Sequence, residues 1–199
     1  SGKSFLTMNM ALCFAIKQKR VLVIDGDLRH GSTSAYVDNP AKGISDYLSG
    51  MTDDWRQLIV QDSKYDNLHV FPIGKMPPNP TELLENGRME SLIEQVRGEY
   101  DYVLIDCPPI DIVADAQILE KMADRTFFVI RAGLLDRSML PELENIYQEK
   151  RFKNMSLILN GTESTGSRYG NRYGYRYGYH YGNASYYSDK DSNRGGVNG

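Results

Sequence analysis

The chain has 199 residues, of which 41% are hydrophobic and 25% are charged, and its 23 basic and 26 acidic side chains leave a formal charge of −3. This composition is typical of one globular domain with an additional segment, and the near-neutral balance gives no electrostatic reason to expect nucleic acid as a ligand. Cys13 and Cys107 are isolated in the sequence, so no disulfide framework or zinc site can be argued and a reducing compartment is indicated. No apolar run approaches the roughly 20 residues that span a bilayer, and no signal peptide is indicated, so the sequence predicts a chain that does not enter a membrane by itself.

The first four residues, Ser1-Gly2-Lys3-Ser4, lead directly into a helical pattern at about Ser4–Gln18. Gly-Lys-Ser matches the last three positions of the phosphate-binding loop G-x-x-x-x-G-K-[ST]. In that loop, N–H groups at a helix N-terminus hold phosphates, the lysine reaches the β- and γ-oxygens, and the hydroxyl binds Mg²⁺. A chance Gly-Lys-Ser before a surface helix is the alternative. Because a strand precedes such a loop, we predict a fragment that begins inside the loop and lacks its first strand.

The remaining chain to Asn160 alternates short apolar runs with amphipathic stretches. Nearly continuous apolar character is typical of strands buried on both faces of a parallel sheet. Strands are predicted at Val21–Asp25, Leu68–Ile73, Tyr102–Asp106, Thr126–Arg131 and Ser156–Asn160, with helices between them at about Thr81–Val96, Ala114–Met122 and Ser138–Phe152. The alternation predicts an α/β fold with a doubly wound, mostly parallel sheet.

Two carboxylates follow the first predicted strand, in the order Asp25-Gly26-Asp27, and Arg29 comes next. Ligands of open α/β sheets bind at the carboxyl ends of strands. One carboxylate could hold Mg²⁺ while the other accepts a proton, and an acidic pair beside phosphates without a metal would repel the substrate. The pair therefore predicts Mg²⁺, although a strand-terminal Asp can also be a simple turn former.

The strand Tyr102–Asp106 ends in a third carboxylate and is followed by Cys107-Pro108-Pro109. This has the form of a Walker B strand, whose aspartate lies beside the metal. We interpret Cys107 as a packing residue rather than a nucleophile. The three histidines are scattered, and no Ser/His/Asp arrangement is indicated.

The last segment, residues 162–199, contains no Leu, Ile, Phe or Met and carries five basic and three acidic side chains, a net charge of +2. Residues 168–183 repeat with a four-residue period as RYGN, RYGY, RYGY and HYGN. Such a composition predicts a disordered tail, so we divide the chain into a domain at 1–161 and a tail at 162–199. Eight of the 14 tyrosines lie in the tail: Tyr169, Tyr173, Tyr175, Tyr177, Tyr179, Tyr181, Tyr186 and Tyr187.

In combination, these motifs resemble the Walker A, A′ and B motifs and the tyrosine cluster of bacterial tyrosine kinases, the cytoplasmic autokinases of capsule and exopolysaccharide export. The segment Pro78–Leu84, the pair Asp115-Ala116 and the closing Leu157–Gly161 resemble that family as well. The resemblance implies a P-loop fold of the MinD-like kind that uses ATP and Mg²⁺. It also implies that the protein phosphorylates the tail tyrosines of a neighbouring copy and so regulates polysaccharide polymerisation and export.

The resemblance also implies a role for each matching residue. Asp25 and Asp27 would be the base and a metal-site carboxylate, and we favour Asp25 as the base. The other implied site residues are Gly2, Lys3 and Ser4 for the phosphates, Ser4, Asp27 and Asp106 for Mg²⁺, Asn160 for the nucleobase, and the eight tail tyrosines as phosphoryl acceptors. A capping role is the alternative for Asn160.

The same resemblance implies three partners: a second copy in a homo-oligomer, a membrane chain-length component that is fused upstream or separate, and a tyrosine phosphatase. The protein would then work in the cytoplasm at the inner face of the plasma membrane. The resemblance further implies that the rest of the Walker A motif and the helix that serves the family as an oligomerisation element lie upstream of Ser1.

Other interpretations are possible from the residues. A MinD- or partition-type ATPase shares the three nucleotide motifs, but it would be expected to end in a basic amphipathic helix. An Arg-Tyr-Gly repeat could stack nucleic-acid bases, but the tail charge of only +2 argues against it. A tail that is only a solubilising linker would not need eight phenols.

Overall fold

The computed structural model describes residues 2–109 and 113–162, which belong to one compact unit ending at Thr162. A second unit, Glu163–Gly199, lies outside the described residues and contains the predicted tail from its second residue onward, with all eight of its tyrosines. The helices are α1 (Lys3–Ile16), α2 (Ile44–Leu48), α3 (Pro80–Glu85), α4 (Arg88–Arg97), α5 (Val113–Glu120) and α6 (Leu140–Gln148). The strands are β1 (Val21–Asp25), β2 (Val60–Gln61), β3 (Leu68–Phe71), β4 (Tyr102–Asp106), β5 (Phe127–Arg131) and β6 (Ser156–Asn160).

The strands form a four-stranded sheet in the order β2-β3-β1-β4 and a two-stranded sheet of β5 and β6. Strand β1 runs parallel to both β3 and β4, and β5 runs parallel to β6, whereas the short β2 is antiparallel to β3. The mostly parallel sheet is therefore confirmed. A single sheet was expected, but the strands form two. Within the described residues, β4 pairs with β1 and β5 pairs with β6, and β4 and β5 do not pair with each other.

Side chains of β1 alternate between two cores, which explains why the strand is apolar throughout. Leu22 and Ile24 pack into a core with residues of α2, α3, α4 and α5. Val21 and Val23 face the opposite side and pack with Met8, Ala11 and Ala15 of α1. Helices thus cover both faces of this sheet, as a doubly wound fold requires.

The two-stranded sheet is less covered than predicted. In β6, half-buried and exposed positions alternate, and Leu157 and Leu159 are 58% and 61% exposed. The prediction that these strands are buried on both faces is therefore correct for β1 and wrong for β6 within the described residues.

The helix predicted over Thr81–Val96 is two helices, α3 and α4, separated at Asn86 and Gly87. Gly87 has a φ of +82°, a left-handed conformation that ends the regular helix and that favours glycine. A second difference lies near Ser138, where a 3₁₀ turn precedes α6, and α6 ends at Gln148 before Phe152. In the part of the chain that the structure describes, every helix is too short or too polar to cross a membrane.

Candidate active site

Helix α1 begins at the Gly-Lys-Ser motif, at the carboxyl ends of the parallel strands. Gly2 precedes the helix with a φ of +84°, and a Cβ placed there would lie 2.5 Å from the Nδ2 atom of Asn160. The left-handed conformation favours glycine here, and an added side chain would have to displace the Asn160 amide. Asn160 ends β6, so the predicted nucleobase residue lies directly beside the predicted phosphate-binding residues.

Asp25 and Asp106 lie side by side, because they are paired positions at the ends of the parallel strands β1 and β4. Both are almost completely buried, with 0% and 2% exposure. The Oδ1 atom of Asp25 and the Oδ2 atom of Asp106 are buried and have no hydrogen-bond partner in the structure. Buried polar atoms of a native protein are nearly always paired, so two such oxygens on adjacent strands indicate a site for a ligand.

The second oxygen of Asp25 is held firmly by Ser34. The Ser34 backbone N–H donates to Oδ2 at 2.8 Å and the Ser34 hydroxyl donates to the same oxygen at 2.7 Å. The hydroxyl oxygen in turn accepts from the backbone N–H of Ile73 at 2.8 Å. Burial raises the pKa of the Asp25 carboxyl, and the hydrogen bonds from Ser34 oppose that rise only in part.

Asp106 is the most perturbed carboxyl of the site. Burial raises its pKa to about 6, and repulsion from Asp25 and Asp27 acts in the same direction. A hydrogen bond from Ser4 and the positive charge of Lys3 lower it again. The first turn of α1 therefore interacts directly with the Asp106 carboxyl at the end of β4, through the charge of Lys3 and the hydroxyl of Ser4.

Asp27 is 6% exposed and lies in the loop that follows β1. Its Oδ1 atom accepts from the backbone N–H of Arg29 at 3.2 Å and lies 3.2 Å from the Nδ1 atom of His30. Asp27 thus contacts the His30 side chain, which is 64% exposed, whereas Asp25 is held by the buried Ser34. The two aspartates of the motif therefore have different surroundings, one enclosed and one at the rim.

The oxygen atoms available at this site suit Mg²⁺ better than a metal ion that is coordinated entirely by protein side chains. Among the described residues, no three His, Cys, Asp or Glu side chains converge as a protein cage would require. Mg²⁺ is commonly bound by one or two carboxylates together with phosphate oxygens and water, so a complete protein cage is not needed. The unpartnered oxygen of Asp106, with the Ser4 hydroxyl and the Asp27 carboxylate near it, fits that pattern.

Sequence reasoning missed Ser34, which no motif marked, and the contact between Arg29, Thr81 and Asp115, which comes from three separate segments. Cys107 behaves as expected for a packing residue, since it is partly buried against the core and burial raises the pKa of its thiol. The eight tail tyrosines lie outside the described residues, so their role stays a prediction.

Comparison with known proteins identifies the family. Residues 1–158 match the family model described as an AAA domain. The chain is 33% identical over 170 residues to the tyrosine-protein kinase CpsD of Streptococcus agalactiae serotype III (strain NEM316), covering 84% of this chain and 72% of that protein. It is 36% identical over 162 residues to the tyrosine-protein kinase YwqD of Bacillus subtilis (strain 168), covering 80% and 67%. By contrast, it spans only 21% of the putative tyrosine-protein kinase AmsA of Erwinia amylovora, at 39% identity.

Solved structures agree with the sequence relatives. The kinase domain of the Escherichia coli tyrosine kinase ETK has a TM-score of 0.73 and 31% identity, covering 89% of this chain and 68% of that one. The Pyrococcus horikoshii septum site-determining protein MinD, at a TM-score of 0.63 and 21% identity, confirms the MinD-like fold alone. The curated relatives named here are tyrosine-protein kinases, and this favours a kinase over the MinD-type switch that shares the fold. The chain therefore belongs to the bacterial tyrosine-protein kinases with an AAA-type P-loop domain.

Proposed function

We propose that this chain is a kinase domain that transfers the γ-phosphoryl group of ATP, with Mg²⁺, to tyrosines in residues 162–199 of a neighbouring copy. The observation that carries the proposal is the pair of unpartnered buried oxygens, Asp25 Oδ1 and Asp106 Oδ2, beside the first turn of α1. Catalysis of phosphoryl transfer is mainly positioning and charge neutralisation, and the residues present supply both.

Each residue at the site has a separate proposed task. Backbone N–H groups at Gly2 and Lys3 and the Lys3 ammonium would bind the phosphates. Ser4, Asp27 and Asp106 would hold Mg²⁺, which neutralises phosphate charge when bound. Asn160, which lies against Gly2, would contact the nucleobase.

We assign the proton acceptor to Asp25. In the transfer, the phenol oxygen bonds to the γ-phosphorus, the bond from that phosphorus to the oxygen of ADP breaks, and the phenol proton goes to a carboxylate. A phenol has a pKa of about 10, so a base near it lowers the barrier. The raised pKa of Asp25 makes its carboxylate a better base than an exposed aspartate.

Transfer between subunits can be tested by mixing two variants of the complete protein. One carries Lys3→Met and an intact tail, and the other is active but lacks residues 162–199. We expect phosphotyrosine on the Lys3→Met chain. Its absence, while the wild-type mixture is labelled, would contradict transfer between copies.

The matched control is Lys17→Met, which removes an exposed lysine at the other end of α1. This variant should bind nucleotide, and tail tyrosines should become phosphorylated in it at the wild-type rate. Normal nucleotide binding by Lys3→Met would contradict the site assignment itself. Nucleotide hydrolysis by the wild-type protein without any phosphotyrosine would instead indicate an ATPase switch.

We further propose that the domain works in the cytoplasm beside the inner face of the plasma membrane, with a membrane chain-length component and a tyrosine phosphatase as partners, in capsule or exopolysaccharide export. The support is that the same domain makes up 72% of CpsD but 21% of AmsA, so it occurs in both short and long proteins. Membrane fractionation tests this: the complete protein should sediment with membranes only when the upstream segment or the separate component is present.

A further inference from the structure

Three side chains from separate segments form a closed ring of hydrogen bonds. The Nε atom of Arg29 donates to Asp115 Oδ2 at 3.0 Å, and the Thr81 hydroxyl donates to Asp115 Oδ1 at 2.6 Å. The Nη2 atom of Arg29 donates to the Thr81 hydroxyl at 3.0 Å and closes the ring. Both oxygens of the carboxylate are thereby paired.

The ring joins the loops that leave three neighbouring strands. Arg29 is in the loop after β1, and Thr81 is in the first turn of α3, which follows β3 in the chain. Asp115 is in the first turn of α5, which follows β4. Because β3, β1 and β4 are parallel neighbours, the ring fastens three loops at the edge of the sheet that carries the candidate site.

Arg29 connects this ring to the site through its own backbone. Its N–H donates to Asp27 Oδ1 at 3.2 Å, while its guanidinium is held by Asp115 and Thr81. Freeing the guanidinium would therefore free the backbone donor that orients the Asp27 carboxylate. The effect on Asp27 would come through Arg29, because the hydrogen bonds of Asp115 go to Arg29 and Thr81.

Burial makes the ring sensitive to small changes. The side chain of Asp115 is 2% exposed and that of Arg29 is 36% exposed. Asp115 is enclosed whereas Arg29 is partly exposed, so removing Arg29 leaves a buried carboxylate without its cation, which costs more than losing a fully exposed pair. Lysine cannot replace Arg29, because a single ammonium cannot reproduce a planar fork that donates to both a carboxylate and a hydroxyl.

We propose that Asp115 and Thr81 are positioning residues that hold Arg29 and thereby set the orientation of Asp27 at the Mg²⁺–nucleotide site. This inference rests on the proposed function, since it takes Asp27 to be a carboxylate of that site. Removing an outer partner of a metal ligand commonly costs about 10- to 100-fold in metal affinity. The ring is such an outer set of partners.

The experiment uses three variants of the complete protein: Asp115→Asn, Arg29→Lys and Thr81→Val. Hydrogen exchange of the His30 and Gly31 amides, which donate to the Asp27 carbonyl, reports on the loop without any nucleotide. The Mg²⁺ concentration that gives half-maximal binding of ADP reports on the site. The matched control pair is Arg97→Lys and Asp124→Asn, which alters another arginine–aspartate pair of 2.9 Å that is exposed and joins the end of α4 to the loop between α5 and β5.

In Asp115→Asn and Arg29→Lys, we expect exchange of those amides to be at least about tenfold faster and the required Mg²⁺ to rise about tenfold. The double variant should be little worse than either single one, because both break the same ring. Thr81→Val should show the same changes to a smaller extent. Because it changes no charge, this variant still tests the inference if Asp115→Asn or Arg29→Lys does not fold.

Two results would overturn the inference. One is unchanged exchange of the loop amides in all three variants. The other is a loosened loop with an unchanged Mg²⁺ requirement, which would show a purely structural ring. If the wild-type protein bound no Mg²⁺–ADP at all, the proposed function would fail, whereas the exchange of the amides would still decide whether the ring holds the loop.

Discussion

At the scale of single residues, the unusual property of the site is that its carboxyl groups are harder to ionise than ordinary ones. Asp25 and Asp106 are enclosed at the ends of two central strands, and burial is the main cause of the raised pKa of both. Without a cation, keeping these groups charged opposes folding. Binding a cation there would remove that opposition, so we expect Mg²⁺–nucleotide to stabilise the fold.

The sign of this effect can be measured with Asp106→Asn. The pKa of Asp106 is about 6 in the folded protein and about 3.9 in an unfolded chain, so the folded state binds more protons between these values. Stability contributed by the protonated group is complete below about pH 4 and is lost as the pH rises to about 6 and above. Asn carries no charge, so the variant without ligand should be more stable than wild type at pH 7.5, by about 1–3 kcal/mol.

Urea unfolding at pH 4.5 and pH 7.5 checks this prediction, and the gain should be smaller at the lower pH. The control is Asp124→Asn, because a hydrogen bond from Arg97 lowers the pKa of Asp124. The charged form of Asp124 favours the folded protein, so the Asp124→Asn variant should lose a little stability at pH 7.5. An Asp106→Asn protein less stable than wild type at pH 7.5 would contradict the account.

At the scale of elements, the sequence pattern identified strands more precisely than helices. Strands β1, β4 and β6 have the bounds that the sequence predicted for them. Helix limits depended on backbone conformation instead: the apolar spacing of Thr81–Val96 continues through Asn86 and Gly87, although the helix does not. Nothing in the apolar spacing reveals that Gly87 adopts a positive φ.

We predict that Gly87→Ala destabilises the protein by about 1 kcal/mol, because a Cβ makes the left-handed conformation costly. The space around Gly87 is open, with no atom within 4 Å of the added Cβ, so strain would be the only cause. Gly98→Ala is the control: it ends α4 with a φ of −79°, and the nearest atom to its added Cβ is 3.7 Å away.

The Gly98→Ala variant should be as stable as wild type or slightly more so, since alanine restricts the unfolded chain. Thermal and urea unfolding of the two variants compare the effects directly. Equal stability of both variants would show that the break between α3 and α4 does not depend on the conformation of Gly87.

At the scale of the whole molecule, β4 and β5 each pair with a single neighbouring strand among the residues that the structure describes. Ser4 donates to Asp106 at the end of β4, and Gly2 lies against Asn160 at the end of β6. Gly2 is therefore close to the carboxyl ends of both sheets. We propose that the predicted strand before Gly2 lies between β4 and β5, parallel to both, and joins the sheets into one.

A chain extended upstream by that strand tests the proposal. We expect slower hydrogen exchange of the β4 and β5 amides and an unfolding temperature higher by at least about 5 °C, since half-buried apolar residues of both strands would become covered. An extension of equal length rich in Gly and Ser is the control. The same exchange rates in β4 with either extension would contradict the proposal.

The tail offers a second prediction at this scale, from charge alone. Each phosphotyrosine adds about −1.5 to −2, so eight would add roughly −12 to −16 to a segment that starts at +2. A tail of reversed sign should be repelled by a site that contains carboxylates and ATP, and the repulsion should grow with the number of phosphates. The oligomer mass of the complete protein, measured before and after phosphatase treatment, should therefore decrease gradually with phosphorylation; an equal mass in both states would contradict this.

The sequence alone determined the residue types at the strand ends, and from them the fold class and the three motifs of the site. These are local properties: an apolar run followed by Asp25 or Asp106 is visible in a few consecutive residues. Only the tertiary structure decided which of them meet. The pairing of Asp25 with Asp106 depends on strand order, and the hold of Ser34 on Asp25 depends on a loop that no motif marks. The ring of Arg29, Thr81 and Asp115 joins residues as much as 86 positions apart, because parallel strands bring the loops at their carboxyl ends to one edge of the sheet.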